Sequence, residues 1–153
     1  MKGIYLIILI SLLFACSDKI SNKTATTENN KKVGHTRTTK VKMLDSDTYK
    51  LTLKTNDDTY GYTQENAIKV GSKNGGPKNE RRFLNALLGP NGEEVVYFRA
   101  GSCCPFESPN GLMGGGLLDN YVVFYKGSKD TVNLFINMYD DGDLFIPVGF
   151  NAK

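Results

Sequence analysis

The side chains best suited to chemistry lie in Gly101-Ser102-Cys103-Cys104-Pro105-Phe106, where two cysteines are neighbours. The chain has 3 cysteines, and the third, Cys16, stands far upstream. Adjacent Cα atoms sit about 3.8 Å apart across a trans peptide, below the roughly 4.4–6.8 Å span of an ordinary disulfide. A Cys103–Cys104 bond would therefore close a strained ring and be comparatively easy to reduce. Three states compete: a vicinal disulfide that stiffens the loop, two buried thiols acting as small hydrophobes, and a reactive dithiol. Two thiolates can also chelate a soft metal, but no third or fourth ligand is evident beside them. Thioredoxin-like exchange expects C-x-x-C in a βαβ setting, which is missing.

Other motifs with chemical potential are few. The only histidine is His35, ahead of the region that can form a core, so acid–base catalysis by histidine and histidine-bearing metal sites are not expected in the domain. Asp140-Asp141-Gly142-Asp143 departs from the D-x-[DN]-x-[DN]-G spacing of a calcium loop and has no distal glutamate, which favours a solvated turn. Gly114-Gly115-Gly116 lacks the strand and helix that a phosphate-cradling loop requires and is expected to be a flexible bend. Arg81-Arg82 could grip a carboxylate or phosphate, though the solvated side of an amphipathic helix is the simpler expectation. No metal and no cofactor is implied.

The first sixteen residues concern location. Lys2 is followed by a run from Gly3 to Phe14 that is almost wholly apolar, and the run ends at Ala15-Cys16. About 12 apolar residues suit the h-region of a signal peptide and fall short of the roughly 20 that span a bilayer. Leu13-Phe14-Ala15-Cys16 resembles the lipobox of bacterial lipoproteins. That resemblance implies removal of residues 1–15, acylation of Cys16 with palmitate-type chains, and anchoring through several chains together. Ser17 in place of the aspartate that retains lipoproteins in the inner membrane points to the outer membrane. An export signal also argues against a nucleic-acid partner.

Residues 17–42 carry seven lysines and arginines against Asp18 and Glu28, a net of +5, and are rich in Ser, Thr and Asn. They offer too little apolar surface to offset the entropy of ordering, so residues 16–42 are expected to be the lipidated cysteine and a disordered basic tether. Residues 43–153 carry a net of −3 and can form one small domain with a modest core.

Within that domain the pattern is strand-rich. Tyr49 to Leu53 alternates at period two, and Ala67–Val70 and Val95–Phe98 are short strand candidates. A hairpin is expected from Tyr121–Tyr125 through Lys126-Gly127-Ser128-Lys129 to Thr131–Tyr139. Its second arm would turn Val132, Leu134, Ile136 and Met138 to the core and Asn133, Phe135, Asn137 and Tyr139 outward. Leu144-Phe145-Ile146 makes a last strand before Pro147. Breakers at Gly75-Gly76-Pro77 and Gly89-Pro90 bracket a helix over Asn79–Leu88, with Glu80 favouring its dipole and Phe83, Leu84, Leu87 and Leu88 forming its apolar stripe. The expectation is an α+β domain, a mostly antiparallel sheet with one short helix against it.

The stretch from Tyr60 to Phe150 resembles a group of small, uncharacterised lipoproteins of Bacteroidetes-type bacteria. The similarity runs through Tyr60-Gly61-Tyr62-Thr63, Asn66 to Gly71, Asn79 to Asn85, Gly89-Pro90-Asn91-Gly92, Gly101-Ser102-Cys103-Cys104, Gly116-Leu117-Leu118-Asp119 and Ile136 to Asp140. The Gly-Ser-Cys-Cys segment is its most specific part, and the resemblance implies no particular activity. A 2-dehydro-3-deoxyphosphooctonate aldolase label, carried by some members, belongs to a (β/α)₈ barrel of about 250 residues. This chain has neither that length nor the alternating pattern.

Two function classes remain beside a purely structural envelope component. One is a non-catalytic envelope module that binds a protein or glycan partner, with Asn133, Phe135, Asn137 and Tyr139 as its binding face. In the competing reading of that face, Phe135 and Tyr139 pack beneath the helix or the Cys103–Phe106 loop. The other class is a thiol redox protein or small enzyme using Cys103 and Cys104. Asp130-Thr131-Val132 also resembles the Asp-Ser/Thr-aliphatic O-glycosylation site of Bacteroidetes exported proteins, which would make Thr131 the acceptor. The alternative there is an ordinary strand start.

Overall fold

The computed structural model describes residues 34–153, so the signal segment, Cys16 and residues 17–33 lie outside the described residues. The elements are β1 (Lys42–Asp45), β2 (Thr48–Lys50), β3 (Leu53–Lys54), β4 (Ile68–Lys69), α1 (Gly76–Asn85), β5 (Leu87–Leu88), β6 (Val95–Leu112), β7 (Gly115–Tyr125), β8 (Val132–Asn137), β9 (Phe145–Ile146) and β10 (Asn151–Ala152). The α+β architecture holds. A four-stranded sheet in the order β4-β8-β7-β6 carries one helix, and three two-stranded pairings, β1–β2, β5–β10 and β3–β9, close its margins. Antiparallel pairing dominates, while β4–β8 and β3–β9 are parallel.

Register places the two faces of the sheet. Tyr121 pairs with Leu134 and Arg99, and Val123 pairs with Val132 and Tyr97, so these side chains share the inner face. There Tyr121, Val123, Leu134 and Ile136 meet Phe83 and Leu84 of α1, with Tyr49, Leu51, Ile68, Val70 and Ile146 completing the core. Alternation at period two sends Val96, Phe98, Val122, Phe124 and Phe135 to the outer face.

The helix begins and ends three residues earlier than the sequence pattern predicts. Gly75, at φ 98°, caps its start, and Pro77 occupies the first turn, where a missing N–H costs nothing. Gly76 lies so close to Met138 that a β-carbon would sit 2.8 Å from the methionine Cβ. At the other end Leu87 and Leu88 leave the helix because β10 offers them a strand partner, and Lys153 N–H donates to Ala86 O. Pro90 reinforces this by disfavouring helical geometry at Gly89.

Strand β6 is much longer than Val95–Phe98. It tolerates Pro105 and Pro109 because it is the edge strand, and irregularities at Arg99/Gly101, Cys103/Pro105 and Glu107/Leu112 accommodate its extra residues. Gly114-Gly115-Gly116 is not a loose bend. Met113 and Gly114, at φ 54° and 82°, make the hairpin turn, and Gly115 and Gly116 are paired in β7.

The expectation of a tether reaching residue 42 is corrected for residues 34–42, which belong to the domain. Arg37 Nε donates to Gly142 O at 2.7 Å, and its Nη2 donates to Lys69 O and Val70 O at 3.0 and 3.1 Å. The Thr38 and Thr39 amides both donate to Asp143 Oδ1, and His35 is hydrogen-bonded to Asp141. A polar segment with few apolar residues is held here by hydrogen bonds and charge, which hydropathy does not register.

Candidate functional site

Cys103 and Cys104 are joined by a disulfide. Cys103 pairs with Leu118 and Pro105 with Leu117, so Cys104 is the inserted residue of a bulge, at φ 59°. Both cysteines are half-buried. Beside them Arg99, the nearest cation in sequence, is already committed. Its Nε and Nη2 grip the two oxygens of Asp119 at 2.8 Å each, and Ser102 Oγ donates to Asp119 Oδ1 at 2.8 Å. Burial pushes the Asp119 carboxyl up, but Arg99 and Ser102 outweigh it and hold the group below the usual carboxylate range.

The sequence pattern places Glu80 in the first helical turn, where its charge would favour the dipole. It is instead fully buried, and it accepts from Tyr121 Oη at 2.9 Å. Desolvation, with the Asp119 charge second, raises its carboxyl to about 8. The signal was present in the sequence: Glu80, Phe83, Leu84 and Leu87 follow the i, i+3, i+4, i+7 spacing of one helix face.

The four residues proposed as one binding face separate. Asn133 is exposed and Phe135 half-buried on the outer sheet face. Asn137 is buried and fastens the turn after β8, its Nδ2 donating to Asp140 Oδ2 at 3.0 Å. Tyr139 packs edge-on against Phe106, with ring centroids 6.0 Å apart. Strand alternation ends at Asn137, which is why the pattern fails there. Thr131 is exposed, one residue before β8.

The acidic run after β8 is a structural hub, not a solvated turn. Asp140 is buried and accepts from Ser108 Oγ and Asn110 Nδ2, both at 2.7 Å, which ties the β6–β7 hairpin to the chain after β8. Asp141 holds His35, and Asp143 holds Thr38 and Thr39. Among the described residues no group of three or more His, Cys, Asp or Glu side chains could hold a metal ion.

A concavity of about 710 Å³ opens between the 35–43 segment, β2, the loop ahead of α1 and α1 itself. Tyr49, Arg37 and Arg82 line it, with Lys40 and Lys73. Arg82 is not a solvated helix residue: Nε donates to Ser46 O at 3.2 Å and Nη1 to Asn79 Oδ1 at 3.0 Å. Burial raises the Tyr49 phenol against the opposing pull of Arg37 and Arg82, so it remains a neutral donor. Reasoning along the sequence missed this cleft, because its cations come from three separated segments.

No helix of the described residues is long and apolar enough to cross a membrane. Comparison of the chain with protein families, with curated proteins and with solved structures finds no match in any of the three.

Proposed function

We propose that this chain is a lipid-anchored envelope protein, probing or holding a partner by non-catalytic binding. The observation that carries the binding reading is the outer face of the four-stranded sheet. Val96, Phe98, Val122, Phe124 and Phe135 lie there side by side by register, outside the core cluster and the residues packed against it. Phe98 keeps 56% of its surface exposed. Contiguous aromatic surface of this kind is how partner-binding faces gain affinity. Catalysis is the poorer reading because the reactive groups are engaged elsewhere. The two cysteines hold each other, His35 holds Asp141, and Glu80 is sealed beneath Tyr121. The Leu13-Phe14-Ala15-Cys16 segment supports the anchor, with Cys16 as the acylated residue, and Ser17 after it supports the outer-membrane location.

Two measurements test the proposal. An acyl probe should label the protein in its native host and fail to label Cys16→Ala; label persisting on that variant overturns the anchor. A photocrosslinker at Asn133 should trap an envelope partner, and Phe98→Asp with Phe135→Asp should abolish the adduct without unfolding the domain. An adduct unchanged by those charges overturns the binding face.

A further inference from the structure

The cleft beside α1 concentrates positive charge without a matching source in the domain as a whole. Residues 34–153 carry equal numbers of basic and acidic side chains, yet the cleft lining has Arg37, Lys40, Lys73 and Arg82 against Asp141 alone among carboxylates. Asp141 is itself occupied by His35, with Arg37 Nη1 4.0 Å from its other oxygen. The arginines are fixed in place by carbonyl and amide oxygens on their other nitrogens. The Arg82 guanidinium also reaches the Tyr49 phenol, and Arg37, Tyr49 and Arg82 all lie on the wall of the cleft.

We infer that this cleft is a binding site for a saccharide-sized ligand bearing a phosphate or carboxylate group. Two pre-positioned guanidiniums suit an oxyanion, since their planar donors match its acceptors and little side-chain entropy is left to lose. Tyr49, flanked by both, adds a neutral donor at the same place. Lys40 and Lys73 are exposed and bring further positive charge to the cleft. A lone inorganic ion would fill little of about 710 Å³, a volume within the range of ligand sites for whole small molecules. The remainder of the lining is mixed, with Ser72 and Asn74 offering hydroxyl and amide groups and Val41 and Met43 an apolar wall. That mixture fits a sugar body, polar at its edge and apolar across its ring faces. The site lies in a different part of the fold from the outer sheet face and does not depend on the anchor.

Calorimetric titration of the full mature chain at low ionic strength tests this, using glucose 1-phosphate, glucuronate and glucose as probes. Saturable binding of either anionic sugar, with glucose at least about ten-fold weaker, is expected from pairing of the anion with the arginines. Comparing the phosphate and the carboxylate identifies the preferred group. Lys40→Gln with Lys73→Gln should weaken the better probe by about ten-fold or more, whereas Lys50→Gln with Lys129→Gln, the same charge loss elsewhere, should change it by less than about two-fold. All four lysines are exposed, so folding is not at stake. Absence of saturable binding by both anionic sugars, glucose binding as well as they do, or equal weakening by the two lysine pairs overturns the inference.

Discussion

Tyr121 of β7 donates its hydroxyl hydrogen to Glu80 Oε2 of α1 across 2.9 Å, and both residues are buried. This one bond joins the helix to the centre of the sheet. Glu80 Oε1 has no partner among the described residues, so an ionised carboxylate there would be poorly solvated as well as close to Asp119. Protonation removes that cost, and the raised value of about 8 expresses it. Tyr121 is pushed up in turn, by burial first and by Glu80 second.

Stability should therefore fall as pH rises between the unfolded and folded values of Glu80, from 4.5 to about 8. The unfolded chain releases the Glu80 proton near 4.5, while the folded chain keeps it to about 8. The contribution is complete below pH 4.5 and is lost as pH rises through about 8. Glu80→Gln keeps a neutral acceptor for Tyr121 and has no proton to lose. Relative to wild type, the variant should gain roughly 3–5 kcal/mol across that window. Urea melts at acidic, neutral and mildly alkaline pH measure the difference, and a constant gap between the two proteins would refute a neutral Glu80.

A second prediction concerns the segment that hydropathy assigns to the tether. Arg37 satisfies three backbone carbonyls, those of Lys69, Val70 and Gly142. Arg37→Ala leaves them without a charged donor and should cost about 2–4 kcal/mol. Deleting 34–40 should lower the melting temperature by many degrees, with deletion of 19–33 as the comparison. Equal melting temperatures for the 34–40 deletion and the intact chain would return the segment to the tether.

The strands and the helix were legible in the sequence because they rest on local periodicity. Tyr121–Tyr125 and Val132–Ile136 alternate cleanly, and Phe83 and Leu84 mark the buried side of α1. Arg37 was not legible, since a lysine- and threonine-rich stretch reads alike whether it is solvated or bound to carbonyls 32, 33 and 105 residues away. The same limit applies to the cleft, where Tyr49, Lys73 and Arg82 converge only after β2, the 70–75 loop and α1 have docked. Asp140 looked solvated because its donors, Ser108 and Asn110, come from the far end of the long hairpin. Glu80 is the exception: its position on the apolar stripe was readable and was outweighed by the general preference for acidic residues at helix starts.

Thr131 offers a third test. It is exposed just before β8, and Asp130 ahead of it is exposed too, so a modifying enzyme can reach the hydroxyl. The Asp-Thr-Val tripeptide predicts added glycan mass on protein from its native host, removed by Thr131→Ala. An unmodified intact mass leaves Thr131 as the residue that leads into the strand.

The fourth prediction separates scaffold from active site at Cys103–Cys104. A bond between neighbours restricts the unfolded chain very little, so it cannot stabilise through a long closed loop. Its effect must be local: it holds Cys104 at φ 59° in the bulge of β6, a region that costs a residue with a β-carbon about 1–2 kcal/mol. Replacing both cysteines by serine removes the bond and keeps the backbone penalty, and should cost roughly 1–3 kcal/mol. Cys103→Ser with Cys104→Gly also removes the bond, but glycine adopts positive φ freely. That variant should recover about 1 kcal/mol relative to the double serine protein, because the left-handed penalty disappears. Partner capture at Asn133 should survive in both below their melting points. A Ser/Gly variant as stable as wild type that has nevertheless lost capture would place function in the sulfurs themselves.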